Sequence, residues 1–404
     1  MKIGINALFL KTPASGTGQY LLHLLRALAE VDTTNEYVLL GPPLQGSTYG
    51  DPARFDGLPF PYIAHTTPSM IERRENTEKL VWEQWTGPAA ARAANVDLYH
   101  VPHFAPPYLP RTPTVVTIHD VIPLLLPAYR AGASVGAYMR LVTRAAHKAT
   151  LIITVSQHAK QDIVDVLHIR PDRIRVIYEA AGDEFVPVRD PVALADARAR
   201  YGVGDDYIFY IGGLDQRKNV PQLVRAFAHL YHQLKDERPG LQLFISGDPE
   251  RQRGPLFPDP RPIAAELDVS DRVVFGFVED ADKAAILSAA QCFVFPATYE
   301  GFGLPPLEAM ACGAPVVCSN RTSLPEVVGD AALSVDPDDT GALANALRDV
   351  LTNDALREDL RARSLRRAAW FSWRKTARET VAAYEEALAR SKSQGQRQRQ
   401  GQEQ

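Results

Sequence analysis

Cysteine is scarce. The 404-residue chain has three, Cys292, Cys312 and Cys318, and no CxxC pair. An odd number at such spacing builds neither a disulfide framework nor a zinc site, and fits a reducing cytosol. Long apolar runs are missing as well: no stretch approaches the roughly 20 residues that cross a bilayer. The opening residues, Met1 to Lys11, include polar Asn6 and precede no small-residue cleavage site, so they read as a buried first strand rather than a secretory signal. Charge of one sign is lacking too. With 44 Lys+Arg against 48 Asp+Glu the net charge is -4, and neither half is polybasic. This excludes a general nucleic-acid binder and strong electrostatic attachment to anionic lipid. No repeat of roughly 20–50 residues is visible, which excludes solenoids and propellers.

What is present is an ordinary globular composition, 46% hydrophobic and 23% charged, long enough for two or three domains. Short apolar runs alternate with longer amphipathic stretches. The first set of expected strands covers 2–8, 37–40, 98–101, 114–118, 151–155 and 175–178; the second covers 207–211, 241–246, 272–277, 292–296, 315–319 and 333–335. Near-continuous apolar runs suit parallel strands covered by helices on both faces. The fold class is therefore α/β, two doubly wound domains. A proline-interrupted stretch, 184–191, reads as the linker, giving domains over 1–185 and 190–370. Phe371 and Trp373 open a last helix, about 373–390, whose Ala377, Val381, Tyr384 and Leu388 predict a face that packs back on the first domain. Residues 391–404 have no apolar side chain and are expected to be disordered.

Ligands of open parallel sheets bind beyond the carboxyl ends of the strands, so the loops there carry the chemistry. After the first strand, Gly16-Thr17-Gly18 opens a helix and offers backbone amides to a phosphate. The next strand ends Leu40-Gly41-Pro42 without the acidic residue of an NAD site, which argues against a dehydrogenase. In the second half the strand over 207–211 runs into Gly212-Gly213-Leu214-Asp215-Gln216-Arg217-Lys218-Asn219, with Asn219 an expected N-cap and Pro221 in the first turn. Two cations at a strand end can neutralise a diphosphate leaving group, or can be a solvated loop. Further on, the strand over 292–296 leads to Glu300-Gly301-Phe302-Gly303-Leu304-Pro305-Pro306-Leu307-Glu308. A glycine loop here meets a proline-started helix, with a glutamate at each end. The amides of Gly301 to Leu304 can face an anion, and Glu308 can accept from ribose hydroxyls. No acidic pair stands where a metal would hold a diphosphate.

Together, the loop 212–219, Phe275-Gly276-Phe277-Val278 and Glu300 to Glu308 resemble the nucleotide-sugar site of the family-4 retaining glycosyltransferases. The likeness extends to about residue 390. It includes Thr117-Ile118-His119-Asp120, Thr154-Val155-Ser156 and Phe371-Ser372-Trp373, and is nearest to bacterial mannosyltransferase-like enzymes of polysaccharide assembly. It implies the GT-B fold, two Rossmann-like domains facing across a cleft, with the acceptor held mainly by the first and the donor by the second. It also implies residue roles. Gly213, Arg217 and Lys218 match the loop and basic pair on the donor diphosphate. Glu300 and the amides of Gly301, Phe302, Gly303 and Leu304 match the groups near the transferred sugar and phosphates, and Glu308 the ribose contact. Val278 matches the backbone at the nucleobase, Gly18 the turn over the diphosphate, and His119 the histidine beside the sugar.

Asp120 either orients His119 or caps the next segment, and His103 is either a structural loop residue or an acceptor contact. The implied activity is transfer of a hexosyl group, mannose by preference, from a nucleotide diphosphate sugar, GDP-mannose favoured, to a saccharide or lipid-linked saccharide, without a metal cofactor. The alternatives are a UDP-sugar-dependent glucosyl or galactosyl transferase, a sugar phosphorylase, and a catalytically silent binding subunit. Two segments, 67–92 with Met70, Trp82 and Trp85, and 138–148, are basic or aromatic helices. They fit either ordinary packing on the sheet or weak peripheral contact with the inner face of the membrane. The expected location is cytoplasmic, and nothing in the pattern decides an oligomeric state.

Overall fold

Parallel strands with apolar side chains on both faces must be covered on both faces, and that requirement shapes both halves of the chain. The computed structural model describes residues 1–44, 57–66, 75–130, 132–250 and 252–400. They form two units, the first from Met1–Glu179 with the last helix, the second from Ala180–Ser372.

The first unit holds a sheet of seven parallel strands: β1 (Lys2–Asn6), β2 (Glu36–Gly41), β3 (Tyr62–Ala64), β4 (Leu98–Val101), β5 (Thr114–Ile118), β6 (Leu151–Thr154) and β7 (Ile174–Val176). Their order is β3-β2-β1-β4-β5-β6-β7. In the second unit β8 (Tyr207–Ile211), β9 (Gln242–Ser246), β10 (Val273–Gly276), β11 (Cys292–Phe295), β12 (Val316–Ser319) and β13 (Ala332–Val335) are arranged β10-β9-β8-β11-β12-β13. In each sheet the first strand stands inside, and the order reverses between it and the fourth, which is the switch point where doubly wound sheets take ligands. The central strands β5, β6, β11 and β12 are buried along their whole length. All three cysteines are buried and free, as apolar members of the second unit.

Each of the twelve expected strands overlaps a strand of the structure; β3 was not anticipated. It is a three-residue edge strand, half-exposed, and too short to leave an apolar run. The unit boundary at Glu179 and Ala180 falls before the expected linker. The last helix begins at Trp373 and continues to Gln400. It thus covers 391–400, within the segment expected to lack structure; extending a formed helix fixes one residue per hydrogen bond gained, and Gln, Arg and Lys are good helix formers. Residues 401–404 lie outside the described part, as does Met70.

The helix is held to the first unit by a stripe of Trp373, Ala377, Thr380, Tyr384 and Ala387, all buried, whereas Val381 and Leu388 are only half-buried. The buried Tyr384 hydroxyl stands 2.8 Å from His100 Nδ1, and the Thr376 hydroxyl donates to the Tyr178 carbonyl at 2.6 Å. Phe371 does not join this helix. It packs edge-on against Phe302 in the second unit, ring centres 5.9 Å apart.

Trp82 follows the packing reading of its segment. It is buried, its indole N–H donating to Asn6 Oδ1 at 3.1 Å, whereas Trp85 points outward. The π turn Trp82–Thr86 explains the difference, since its extra residue per turn rotates neighbouring side chains apart.

Candidate active site

In the second unit the β8 strand ends in a tight loop. The Tyr210 hydroxyl donates to the Gly213 carbonyl at 2.6 Å, and the Leu214 amide donates to Gln252 Oε1 at 2.6 Å. The chain then turns through the short helix Gln216–Lys218. That turn aims both cations at one carboxylate. Arg217 Nη1 donates to Glu300 Oε1 at 2.9 Å and Lys218 Nζ to the same oxygen at 2.5 Å. Arg217 Nε also pairs with Asp215 at 3.1 Å, and Lys218 Nζ lies 4.9 Å from the centre of the Phe295 ring. Burial alone would raise the Glu300 pKa. The charges of Lys218 and Arg217, with their hydrogen bonds, outweigh it and hold the carboxyl below its ordinary value. Two carboxylates thus face two cations, and their formal charges cancel.

Asn219 departs from expectation. It adopts φ 58° at the start of the helix Val220–Leu234, and its side chain donates to the Pro337 carbonyl at 2.8 Å instead of capping the helix. Pro221 sits in the first turn as anticipated.

The glutamate loop is braced from below. The Glu300 amide donates to the Thr322 hydroxyl at 3.1 Å, and Ser323 Oγ lies 2.9 Å and 2.7 Å from the carbonyls of Glu300 and Phe302. Gly303 precedes the helix Leu304–Ala311 at φ 118°, where a Cβ would stand 2.7 Å from Leu324 Cδ2, so glycine is required. Gly301, Phe302 and Gly303 are buried; Leu304 and Glu308 are half-buried within that helix. Val278 is buried after β10, its amide donating to Ser246 Oγ at 3.2 Å.

In the first unit, a Cβ on Gly18 would meet the Thr12 carbonyl oxygen at 2.3 Å. The Gly18 amide donates to Ser15 Oγ at 3.1 Å, the N-cap of the helix Gly16–Val31, so this amide is engaged rather than free for phosphate. His119 follows β5. Its Nδ1 stands 3.0 Å from Glu179 Oε1 and its Nε2 3.2 Å from the Pro102 carbonyl oxygen, with the Tyr20 ring edge-on at 4.7 Å. Both partners are acceptors without hydrogens, so only the imidazolium, with two N–H groups, satisfies both. Burial opposes the charge, but the Glu179 hydrogen bond and charge, the Pro102 carbonyl and Asp120 raise the pKa above that of an ordinary histidine. Asp120 contributes field, and its Oδ1 accepts from the Ile122 amide at 3.0 Å, capping the next helix. His103 is buried 3.3 Å from Glu83, with burial the larger influence and its pKa lowered.

The family model "Glycosyltransferase Family 4" matches residues 14–181, and "Glycosyl transferases group 1" matches residues 196–367. An Escherichia coli protein described as O-antigen chain mannosyltransferase B is 32% identical over 393 residues, covering 93% of this chain and 97% of that one. The chain is a family-4 glycosyltransferase. The serotype-specific mannosyltransferase WbdA of E. coli is 32% identical over 283 residues, 69% of this chain but 34% of that longer protein. Among solved structures, Anabaena HepE with UDP and glucose superposes with TM-score 0.73 at 19% identity, covering 95% of this chain and 99% of that one. WaaG, a glycosyltransferase of lipopolysaccharide biosynthesis, superposes with TM-score 0.69 at 17% identity over 95% of this chain and 98% of that one. Both solved structures share the GT-B architecture of two Rossmann-like units.

For this glycosyltransferase the structure brings Arg217, Lys218 and Glu300 together and places Gly301 to Leu304 at the head of the helix carrying Glu308. Sequence reasoning missed Glu179, Asp215, Thr322 and Ser323. Glu179 stands 60 residues from its partner His119, and no local spacing pairs them. Asp215 lay within the basic loop and could have been noted as its counter-charge. The His119–Glu179 pair carries a prediction. With the pKa raised on folding, its stabilising contribution is complete below the ordinary histidine value of about 6.5 and fades as pH rises through the raised value. Nitrogen-15 NMR of labelled histidine at neutral pH is expected to show His119 protonated on both nitrogens. Glu179→Gln should move its titration to lower pH. A neutral His119 in the unaltered enzyme would refute the assignment.

Proposed function

We propose that this enzyme transfers a hexosyl group, mannosyl by preference, with retention of configuration, from a nucleotide diphosphate sugar to a saccharide or lipid-linked saccharide in polysaccharide or glycolipid assembly. It does so in the cytoplasm. The observation that carries the reading is the Arg217–Lys218–Glu300 cluster beside the glycine loop that begins the Leu304–Ala311 helix. Two fixed cations and helix-terminal amides are what a departing diphosphate needs. The mannosyl preference is supported by the name of the relative that matches along nearly the full chain.

Arg217, Lys218 and Gly213 hold the diphosphate, with Gly18 closing over it. Glu300, His119 and the amides of Gly301, Phe302, Gly303 and Leu304 meet the sugar and its phosphate. Val278 meets the base and Glu308 the ribose. The acceptor hydroxyl oxygen forms its bond to the anomeric carbon on the face from which the diphosphate leaves. The bond from that carbon to the diphosphate oxygen breaks, and the hydroxyl proton passes to the departing phosphate. The protein acts by positioning and by stabilising the leaving charge.

The deciding experiment incubates the purified enzyme with GDP-mannose, UDP-glucose or UDP-galactose after exhaustive EDTA treatment and chelator removal. Slow release of GDP from GDP-mannose without acceptor, and transfer with acceptor, is the expected result. Release of no nucleotide would mark a silent binding subunit. Loss of transfer restored only by magnesium or manganese would refute the metal-free mechanism. Separately, Glu308→Ala should weaken GDP binding by roughly 1.5–3 kcal/mol, the worth of a charged hydrogen bond, with the fold intact by circular dichroism. Unchanged binding would remove Glu308 from the ribose.

A further inference from the structure

Three side chains of the last helix reach the groups that surround His119. Tyr384 is fully buried, and its hydroxyl stands 2.8 Å from His100 Nδ1. On the far side of that ring His100 Nε2 stands 2.9 Å from Thr117 Oγ1, and Thr117 lies two residues before His119. The Tyr20 hydroxyl meets the same Thr117 oxygen at 3.3 Å, while the Tyr20 ring is edge-on to His119 at 4.7 Å. Trp373, which opens the helix, is edge-on to Tyr20 at 5.8 Å and stacks on His23 at 5.2 Å. Separately, the buried Thr376 hydroxyl donates to the Tyr178 carbonyl at 2.6 Å, one residue before Glu179. All of these groups belong to the first unit.

The contact through His100 has a direction. His100 is neutral, its pKa pushed down to about 3 by burial and by the nearby charges of His103 and His119. A neutral imidazole donates from one nitrogen and accepts at the other. If Tyr384 donates to Nδ1, Nε2 carries the hydrogen and donates to Thr117; if Tyr384 accepts, Thr117 must donate. The bond to the last helix therefore decides how Thr117 is held, and Thr117 in turn holds the Tyr20 hydroxyl. The contact through Thr376 is mechanical. Tyr178 and Glu179 follow β7 in irregular backbone, and Thr376 ties that backbone to the helix. A carboxylate that must stand 3.0 Å from His119 Nδ1 needs a fixed chain beneath it.

We propose that Tyr384 and Thr376 are positioning residues for His119. Tyr384 fixes Thr117 and Tyr20 through His100, and Thr376 fixes Glu179 through the Tyr178 carbonyl. A small displacement of an aligned group costs rate more than ground-state affinity. The effect on turnover rests on the reading that His119 meets the transferred sugar. The effect on the ring itself does not, so the two can fail separately.

The test uses the full chain. Tyr384→Phe and Thr376→Val each remove a hydroxyl and keep the bulk of the side chain. Thr380→Val is the control: Thr380 is buried on the same helix, and its hydroxyl donates to the Thr376 carbonyl at 2.7 Å, within the helix. Nitrogen-15 NMR of labelled histidine at neutral pH should show sharp His119 N–H signals in the parent and in Thr380→Val. In Tyr384→Phe and Thr376→Val solvent exchange should broaden them. Release of GDP from GDP-mannose should fall about tenfold in those two variants, with the donor Michaelis constant changed less than about twofold. Thr376→Ser, which keeps the hydroxyl, should restore both readouts. Circular dichroism checks each fold, and because the two variants act by separate routes, one decides where the other does not fold. Sharp His119 signals in both variants, or equal broadening in Thr380→Val, would overturn the proposal. Broadened signals with parental GDP release would uphold the positioning and remove His119 from the sugar, and His119→Gln would then also release GDP as the parent does.

Discussion

Lys218→Ala is expected to lower turnover by about two to three orders of magnitude while raising the Michaelis constant for the donor far less. The amine is buried over the Phe295 ring and bonded to Glu300. In such a setting its charge acts at short range with little solvent screening. Negative charge on the bridging oxygen grows as the glycosidic bond breaks, so a fixed cation stabilises the transition state more than the bound donor. The fold should persist, because Glu300 keeps Arg217 as a partner at 2.9 Å. Steady-state kinetics with both substrates varied gives the answer. Normal turnover with only a raised Michaelis constant would mean that Lys218 merely holds the donor.

Glu300→Gln should separate binding from chemistry in the opposite direction. This carboxylate accepts from both cations, and on the proposed reading a diphosphate takes them over. Removing its charge frees them, and GDP affinity should rise about tenfold, within the worth of one charged hydrogen bond. Transfer should fall about 100-fold, as expected when a group beside the reacting sugar loses its charge. Calorimetry with GDP and a transfer assay provide the two readouts. Weaker GDP binding in the variant would show that Glu300 assists the diphosphate rather than competing with it. Stability gives a third. The pKa of Glu300 is held low, so its contribution is present above the ordinary carboxylate value of about 4.3 and is lost as pH falls through the lowered value. The difference in stability between parent and variant should therefore shrink on acidification.

Some of the architecture was readable along the chain because burial on two faces leaves no polar alternation. Tyr207–Ile211 and Cys292–Phe295 could be nothing but inner strands. The edge strand Tyr62–Ala64 lacked that mark. The last helix was visible from its spacing, which picked out Ala377 and Tyr384, but its true seam, through Trp373, Ala377, Thr380 and Tyr384, includes a threonine that pattern alone ranks as surface. The partner of Tyr384 is His100, 284 residues away, held neutral with a pKa pushed down to about 3 by burial and by the nearby charges of His103 and His119.

The sequence by itself determined two doubly wound sheets, the loops at their carboxyl ends, and which glutamates and cations those loops carry. These depend on neighbours within a few residues, whose spacing is fixed by helix and strand geometry. Only the tertiary structure decided how the charges are shared. That Glu300 takes both cations, that Glu179 rather than Asp120 bonds the His119 ring, and that Trp85 faces solvent while Trp82 does not, all follow from contacts across the sheet or around a π turn. Hydrogen bonds and charges act through space at about 3 Å, and chain separation carries no record of which groups will stand that close.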